Sequence, residues 1–281
     1  MILPYGKNVE DINASLELAL KLENNQYNQD LVFHAYWTGE LSVQHLISVT
    51  TCWYFNIRGR ENRKIILWLE NCSDNNIKAE LQKFAEIREF DFDSQVIDTP
   101  FAGRDFYAIK RPAYFSDVIR YILLYKYGGL WFDLDNFFLR SLDPVLANFS
   151  DQVFLYRWSG QNFPNGAIYF SPKPKYVEIE KIINIFLEKN IGFGFNETQV
   201  GYDTDVDFIV LPCGWFDPAW LENTFIDDFS QFFYKNKKEF NLNNFFPGAF
   251  VYHWHNRWNF PINAGSVISD LYQEVLSNIE E

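Results

Sequence analysis

An α/β fold with a mostly parallel sheet is what this 281-residue chain predicts. Three observations carry that expectation. Short apolar, β-rich runs alternate with helix-period stretches over the first half, as in strand–helix–strand units. Hydrophobic residues make up 48% of the chain and charged residues 22%, enough apolar material for a proper core. No repeat, low-complexity linker or charge block interrupts it, so one domain over residues 1–281 is expected.

Val9 to Glu23 carries Ile12, Leu16, Leu18, Leu20 and Leu22 and reads as an amphipathic helix. After the polar break Asn24 to Asp30, Leu31 to Trp37 is the first core strand. Ser42 to Tyr54 follows as a helix with Ser42 as its N-cap. Lys64 to Glu70, KIILWLE, is a second buried strand; Ile77 to Ile87 is a helix and Glu89 to Ile97 a third strand. Tyr114 to Tyr127 is a helix that Ser116 caps and Gly128-Gly129 ends in a left-handed turn. Leu130 to Phe132 is then the strand that delivers Asp133. Beyond it, Val153 to Tyr156 and Ala167 to Phe170 are strands around an Asn165-Gly166 turn, and Tyr176 to Lys189 is a helix. From there to Trp258 the pattern is mixed and aromatic, a smaller part appended to the sheet.

A net charge of −13 argues against nucleic-acid backbone and against docking on anionic lipid. An acidic chain that handles a phosphorylated ligand needs a metal ion or a few inward-facing cations. Aromatic residues reach 19%, which leaves ring faces for flat partners such as nucleobases and sugars. Cys52, Cys72 and Cys213 form no CxxC pair, which favours a reducing compartment. The N-terminus lacks a basic flank before an apolar run, and no stretch of about 18 apolar residues occurs, so a cytoplasmic protein without a transmembrane segment is expected. The Asn-x-Ser/Thr triplets at Asn13, Asn71, Asn148 and Asn196 are in keeping with chance in an Asn-rich chain.

Candidate chemistry gathers between Tyr114 and Pro144. Asp117 and Arg120, three apart, share a helix face; alone they are an ordinary surface ion pair. Asp133 and Asp135 share one side of an extended chain while Leu134 points into the core. Divalent Mg or Mn takes one or two such carboxylates and fills its remaining positions with substrate phosphate. In open α/β sheets ligands lie beyond the carboxyl ends of strands, where this triplet falls. A further segment, PGAFVYHWHNRW from Pro247 to Trp258, holds two of the four histidines, and His253 or His255 suits a metal shell as well as a structural role. Asn165-Gly166 either presents an amide to a sugar or is a plain hairpin turn.

The run SDVIRYILLYKYGGLWFDLD, Ser116 to Asp135, resembles the signature of the sugar-binding DXD glycosyltransferases, the group that includes the yeast-type α-mannosyltransferases of glycosyltransferase family 32. That group is related to the α1,4-galactosyl and N-acetylglucosaminyl transferases and to the glucosylating clostridial toxins. Ser116-Asp117, Arg120-Tyr121, Leu124, Tyr127-Gly128-Gly129 and Asp133-x-Asp135 carry the match. VFHAYWTG, Val32 to Gly39, is a weaker one; together they span residues 31–145, and the C-terminal third matches only loosely. The resemblance implies a GT-A fold, a Rossmann-like, mostly parallel central sheet flanked by helices with a smaller mixed C-terminal part. It implies a nucleotide-sugar donor carrying UDP or GDP, a Mn or Mg ion, a glycan or glycolipid acceptor, and retention of anomeric configuration.

Residue by residue, the resemblance would set Tyr36 and Trp37 against the donor, with Trp37 on its base. Asp117 and Arg120 would hold donor sugar hydroxyls, Asp133 would contact ribose or sugar, and Asp133 and Asp135 would meet the metal. His253 or His255 would complete the metal shell and Trp258 would close over the diphosphate. Residues 31–145 would then form the donor half and 146–281 the acceptor half, with donor and acceptor choice resting on loops such as Asn190 to Asp207. Two rivals compete. FDLDN also resembles the nucleophile motif of haloacid dehalogenase-type phosphatases, with Asp227-Asp228 as a later acidic pair, although that motif normally lies on the first strand. A non-catalytic carbohydrate-binding protein fits the aromatic content alone.

Overall fold

The computed structural model describes residues 10–23, 25–73, 75–104, 112–158, 164–189 and 206–280. Nine strands are seen among them: β1 (Leu31–Thr38), β2 (Arg63–Glu70), β3 (Glu86–Glu89), β4 (Gly129–Phe132), β5 (Asn136–Phe138), β6 (Val153–Arg157), β7 (Pro164–Ser171), β8 (Phe208–Leu211) and β9 (Val251–His253). The helices are α1 (Ile12–Leu20), α2 (Val43–Asn56), α3 (Asn76–Leu81), α4 (Phe92–Val96), α5 (Pro112–Tyr127), α6 (Asp143–Phe149), α7 (Val177–Lys189), α8 (Cys213–Phe216) and α9 (Val267–Glu280).

Seven strands build the central sheet in the order β3-β2-β1-β4-β7-β6-β8. Only β7 runs against the rest, antiparallel to both β4 and β6; the other neighbours pair in parallel. The chain runs outward from β1 to β3 and returns to the other side of β1 as β4. That reversal opens a crevice beyond the carboxyl ends of β1 and β4, the usual ligand position in such sheets.

The period of two along each strand divides the core. Phe33, Ala35, Leu67, Leu130 and Phe132 point to one face, where α2 and α6 cover them with Val49, Cys52, Val145 and Leu146. Tyr36, Trp68, Trp131 and Tyr169 point to the other, under Val118 and Ile122 of α5 and Ile179 and Ile183 of α7. Both faces are buried, as a parallel sheet requires. A third cluster joins β5, β9, α9 and Leu16 of α1 through Phe137, Tyr252, Trp254, Ile268 and Leu271.

Several boundaries differ from the expectations. The helix expected over Ile77 to Ile87 stops at Leu81, and the strand expected over Glu89 to Ile97 lies earlier, at Glu86–Glu89. Asp91 decides this: its carboxylate accepts the Ser94 amide at 3.2 Å and starts α4 where a strand was expected. Helix α5 begins at Pro112, which suits a first helical position, so Ser116 sits inside it and caps nothing. Gly128 and Gly129 end that helix with φ of 66° and 88°, as expected. Asn165-Gly166 is no turn. It lies within β7, where Asn165 pairs with Tyr156 beside a bulge. Of the loop Asn190 to Asp207, residues 190–205 lie outside the described residues.

Candidate active site

Strand β4 ends at Phe132, and the Asp133 amide donates to the Ala167 carbonyl at 2.9 Å, which fixes the chain as it leaves the sheet. Residues 134–135 then form a turn and do not continue the strand. Leu134 is buried in the core, as expected. The pairing of Asn136 with His253 in the β5–β9 ladder brings the histidine to the acidic triplet. Asp133, Asp135 and His253 each offer one ligand atom, and these atoms lie within 4.8 Å of one another. The two acids converge through this turn; the extended geometry expected for them is absent.

Arg120 reaches the same place from α5. Its Nη2 lies 3.2 Å from Asp117 Oδ1 and 3.1 Å from Asp133 Oδ1, and its guanidinium stands 5.4 Å from the centre of the Trp131 ring. The Trp131 indole donates to Asp133 Oδ1 at 2.6 Å. Gly166 on β7 makes room for this arginine, since a Cβ built there would overlap the guanidinium. Asp133 keeps 28% of its side chain exposed and Asp117 17%, so the pair faces the crevice. Burial, with the Asp133 charge, raises the Asp117 carboxyl to about 7 against the pull of Arg120.

His253 stands between two carboxylates. Nε2 lies 3.1 Å from Asp135 Oδ2, while Nδ1 lies 3.0 Å from the Tyr156 hydroxyl and 3.7 Å from Asp217 Oδ2. Burial alone lowers its pKa, but Asp135 and then Asp217 outweigh it and raise the ring to about 10. Burial likewise disfavours an ionised Asp135, yet His253 and the Asn256 amide, 2.7 Å from Oδ2, hold it below the usual carboxylate range. That amide reaches back because His255 and Asn256 take φ of 51° and 56°. His255 turns away to Asp217, with Nε2 2.8 Å from Oδ2, among Phe229, Trp220 and Trp158.

Trp37 and Trp258, chosen for the donor, stand together with ring centres 4.9 Å apart. His45, which the sequence did not single out, completes the group, stacked on Trp258 at 4.5 Å and edge-on to Trp37 at 4.1 Å. Its Nδ1 accepts the Ser42 amide at 2.9 Å, closing the start of α2. Gln44 Nε2 donates to the carbonyls of Trp258 and Phe260 at 3.1 and 3.0 Å, tying that segment to α2. Tyr36 stays apart: it packs on the opposite face of the sheet and its hydroxyl donates to Glu70 at 2.6 Å. Asp217 was also missed. Its signal was a lone charge in the apolar run Phe208 to Leu221, a placement rare without partners.

Residues 33–151 match the family model described as a glycosyltransferase sugar-binding region containing a DXD motif. No curated protein matches the chain. Among solved structures, the bifunctional glycosyltransferase WbbM is similar with a TM-score of 0.53 at 12% identity, over 91% of this chain and 50% of that one. The glycosyltransferase GlyE of Streptococcus pneumoniae TIGR4 has a TM-score of 0.47 at 13% identity, over 90% of this chain and 63% of that one. The galactosyltransferase LgtC, solved with donor and acceptor sugar analogs, has a TM-score of 0.47 at 11% identity, covering 88% and 95%. At such identities the likeness to WbbM concerns the fold, and the motif-bearing region comes from the family match. Residues 33–151 thus match a DXD-containing glycosyltransferase sugar-binding region, carried on an α/β fold similar to that of WbbM.

Proposed function

We propose that this protein is a glycosyltransferase that moves a sugar from a nucleotide-diphosphate sugar to a hydroxyl of a glycan or glycolipid, with a divalent ion and with retention of configuration. The observation that carries this is the convergence of Asp133, Asp135 and His253 beside Arg120 at the crevice of the sheet. Two carboxylates and an imidazole fit Mn, and Mg through the oxygens. Bound there, the ion would supply Lewis-acid stabilisation of the departing diphosphate.

The side chains divide the remaining work. Arg120 places its fixed charge where the sugar-phosphate oxygens gather, and Asp117 and Asp133 offer acceptors to sugar or ribose hydroxyls. Trp37 and Trp258, packed against each other and against His45, would present ring faces to the base. Residues 31–145 form the donor half in this reading and 146–281 the acceptor half. Retention rests on the resemblance of the motif, and no nucleophile is assigned. No helix among the described residues is long and apolar enough to cross a membrane. Cysteines held outside disulfides fit a cytoplasmic, reducing setting.

The phosphatase rival gains nothing from the fold. Asp133 follows the fourth strand among the described residues, and Asp228 caps a 3-10 helix through the Ser230 amide at 2.9 Å. Donor hydrolysis measured with Mn over a panel of UDP- and GDP-sugars tests the proposal. It predicts turnover of at least one donor, abolished in Asp135→Asn while the chain stays folded. Full turnover in that variant, or none with any donor, contradicts it.

A further inference from the structure

We propose that Asp217 is a positioning residue of the metal centre, holding the ring of His253 so that Nε2 meets the ion beside Asp135; this rests on the metal-centre reading above. Three observations support it. Asp217 is fully buried, with its side chain 0% exposed, where an isolated carboxylate would cost several kcal/mol. Its Oδ2 faces His253 Nδ1 at 3.7 Å and accepts from the Trp158 indole at 2.9 Å and from His255 Nε2 at 2.8 Å. Its Oδ1, equally buried, has no hydrogen-bond partner among the described residues.

The geometry has a direction. One ring nitrogen of His253 faces Asp135 and the other faces Tyr156 and Asp217. A ligating histidine needs a lone pair toward the metal, so its proton must sit on the far nitrogen. A fixed negative charge on that far side favours the Nδ1–H form and resists rotation of the ring. Asp217 reaches this position because Pro218 follows it and α8 precedes it, in a segment packed by Trp215 and Phe216. His255 and Trp158 then serve as donors that keep the carboxylate from turning. A purely structural role, the competing explanation, would need only those two donors and would leave the His253 ring free of Asp217.

Manganese binding to the full chain, read by calorimetry and by the loss of the free-ion EPR signal, tests this apart from turnover. Wild type is expected to bind one equivalent, Asp135→Asn none, and Asp217→Asn to bind about 10- to 100-fold more weakly with unchanged melting. Unchanged affinity in Asp217→Asn overturns the positioning role while the metal centre stands. A wild type that binds two equivalents, one of them lost in Asp217→Asn, also overturns it, by making Asp217 a ligand together with His253 and His255. If wild type and Asp135→Asn bind alike, the centre itself is wrong and the proposal falls with it. Should Asp217→Asn fail to fold, nitrogen NMR of the wild-type His253 ring with diamagnetic Cd decides: a proton on Nδ1 supports the role, a proton on Nε2 refutes it.

Discussion

Arg120 is held by what surrounds it: Asp117 and Asp133 at one end, the Trp131 ring beneath and Gly166 without a side chain across from it. Gly166→Ala would push the guanidinium off both acids. Overpacking of this kind costs about 1–3 kcal/mol. We expect a lowered melting temperature and at least a tenfold loss in kcat/KM in a donor-transfer assay, and unchanged kinetics would show that Arg120 has room to spare. Arg120→Lys keeps the charge but loses the fork that spans two partners, so a loss of similar size is expected with little change in melting. Asp117, Arg120 and Asp133 were legible beforehand, because their types and spacing lie within one helix and one strand end, whereas Gly166 was read as a turn residue. Asp217 and His45 were not legible. Asp217 meets His253, His255 and Trp158, and His45 meets Trp258, each more than 30 residues away in the chain, so these contacts appear only once the chain is folded.

At the scale of elements, the sheet was readable wherever an apolar run was long enough to be buried on both faces. Strands β1 and β2 and helix α2 lie close to where the spacing of apolar residues put them. Strands β5 and β9 have three residues each, too short to show periodicity, and their pairing is set by the third core cluster. Yet that pairing brings His253 to the acids. The segment after β9 is tied down by Gln44 of α2, whose amide meets the carbonyls of Arg257, Trp258 and Phe260. Gln44→Ala leaves those carbonyls short of a donor, a loss of about 1–3 kcal/mol. The expected result is a lower urea midpoint and a raised donor KM with kcat less affected, since Trp258 loses its anchor. An unchanged KM would separate Trp258 from donor binding.

For the whole molecule, acid stability is set partly by histidines buried without charge. Burial holds His34 down to about 3 and His45 to about 4, and each Nδ1 accepts a hydrogen bond, from the Trp68 indole and the Ser42 amide respectively. Below the ordinary histidine value of about 6.5 the unfolded chain takes up protons that the folded one refuses, so stability is lost as pH falls. His45 alone contributes up to about 1.4 kcal/mol per pH unit between 6.5 and its folded value. His45→Gln should therefore be less stable than wild type at pH 7.5, with the gap closing as pH falls from 6.5 toward 4. A gap constant over that range would mean the histidine is not neutral in the fold. The overall architecture was legible because a doubly buried parallel sheet leaves continuous apolar runs, whereas the aromatic C-terminal part packs through contacts with no fixed period. Manganese-edge anomalous diffraction from crystals grown with Mn and a nucleoside diphosphate tests the central claim most directly. The account predicts one peak within bonding distance of Asp135 and His253 with Arg120 turned toward the diphosphate; a bound nucleotide with no peak there would contradict it.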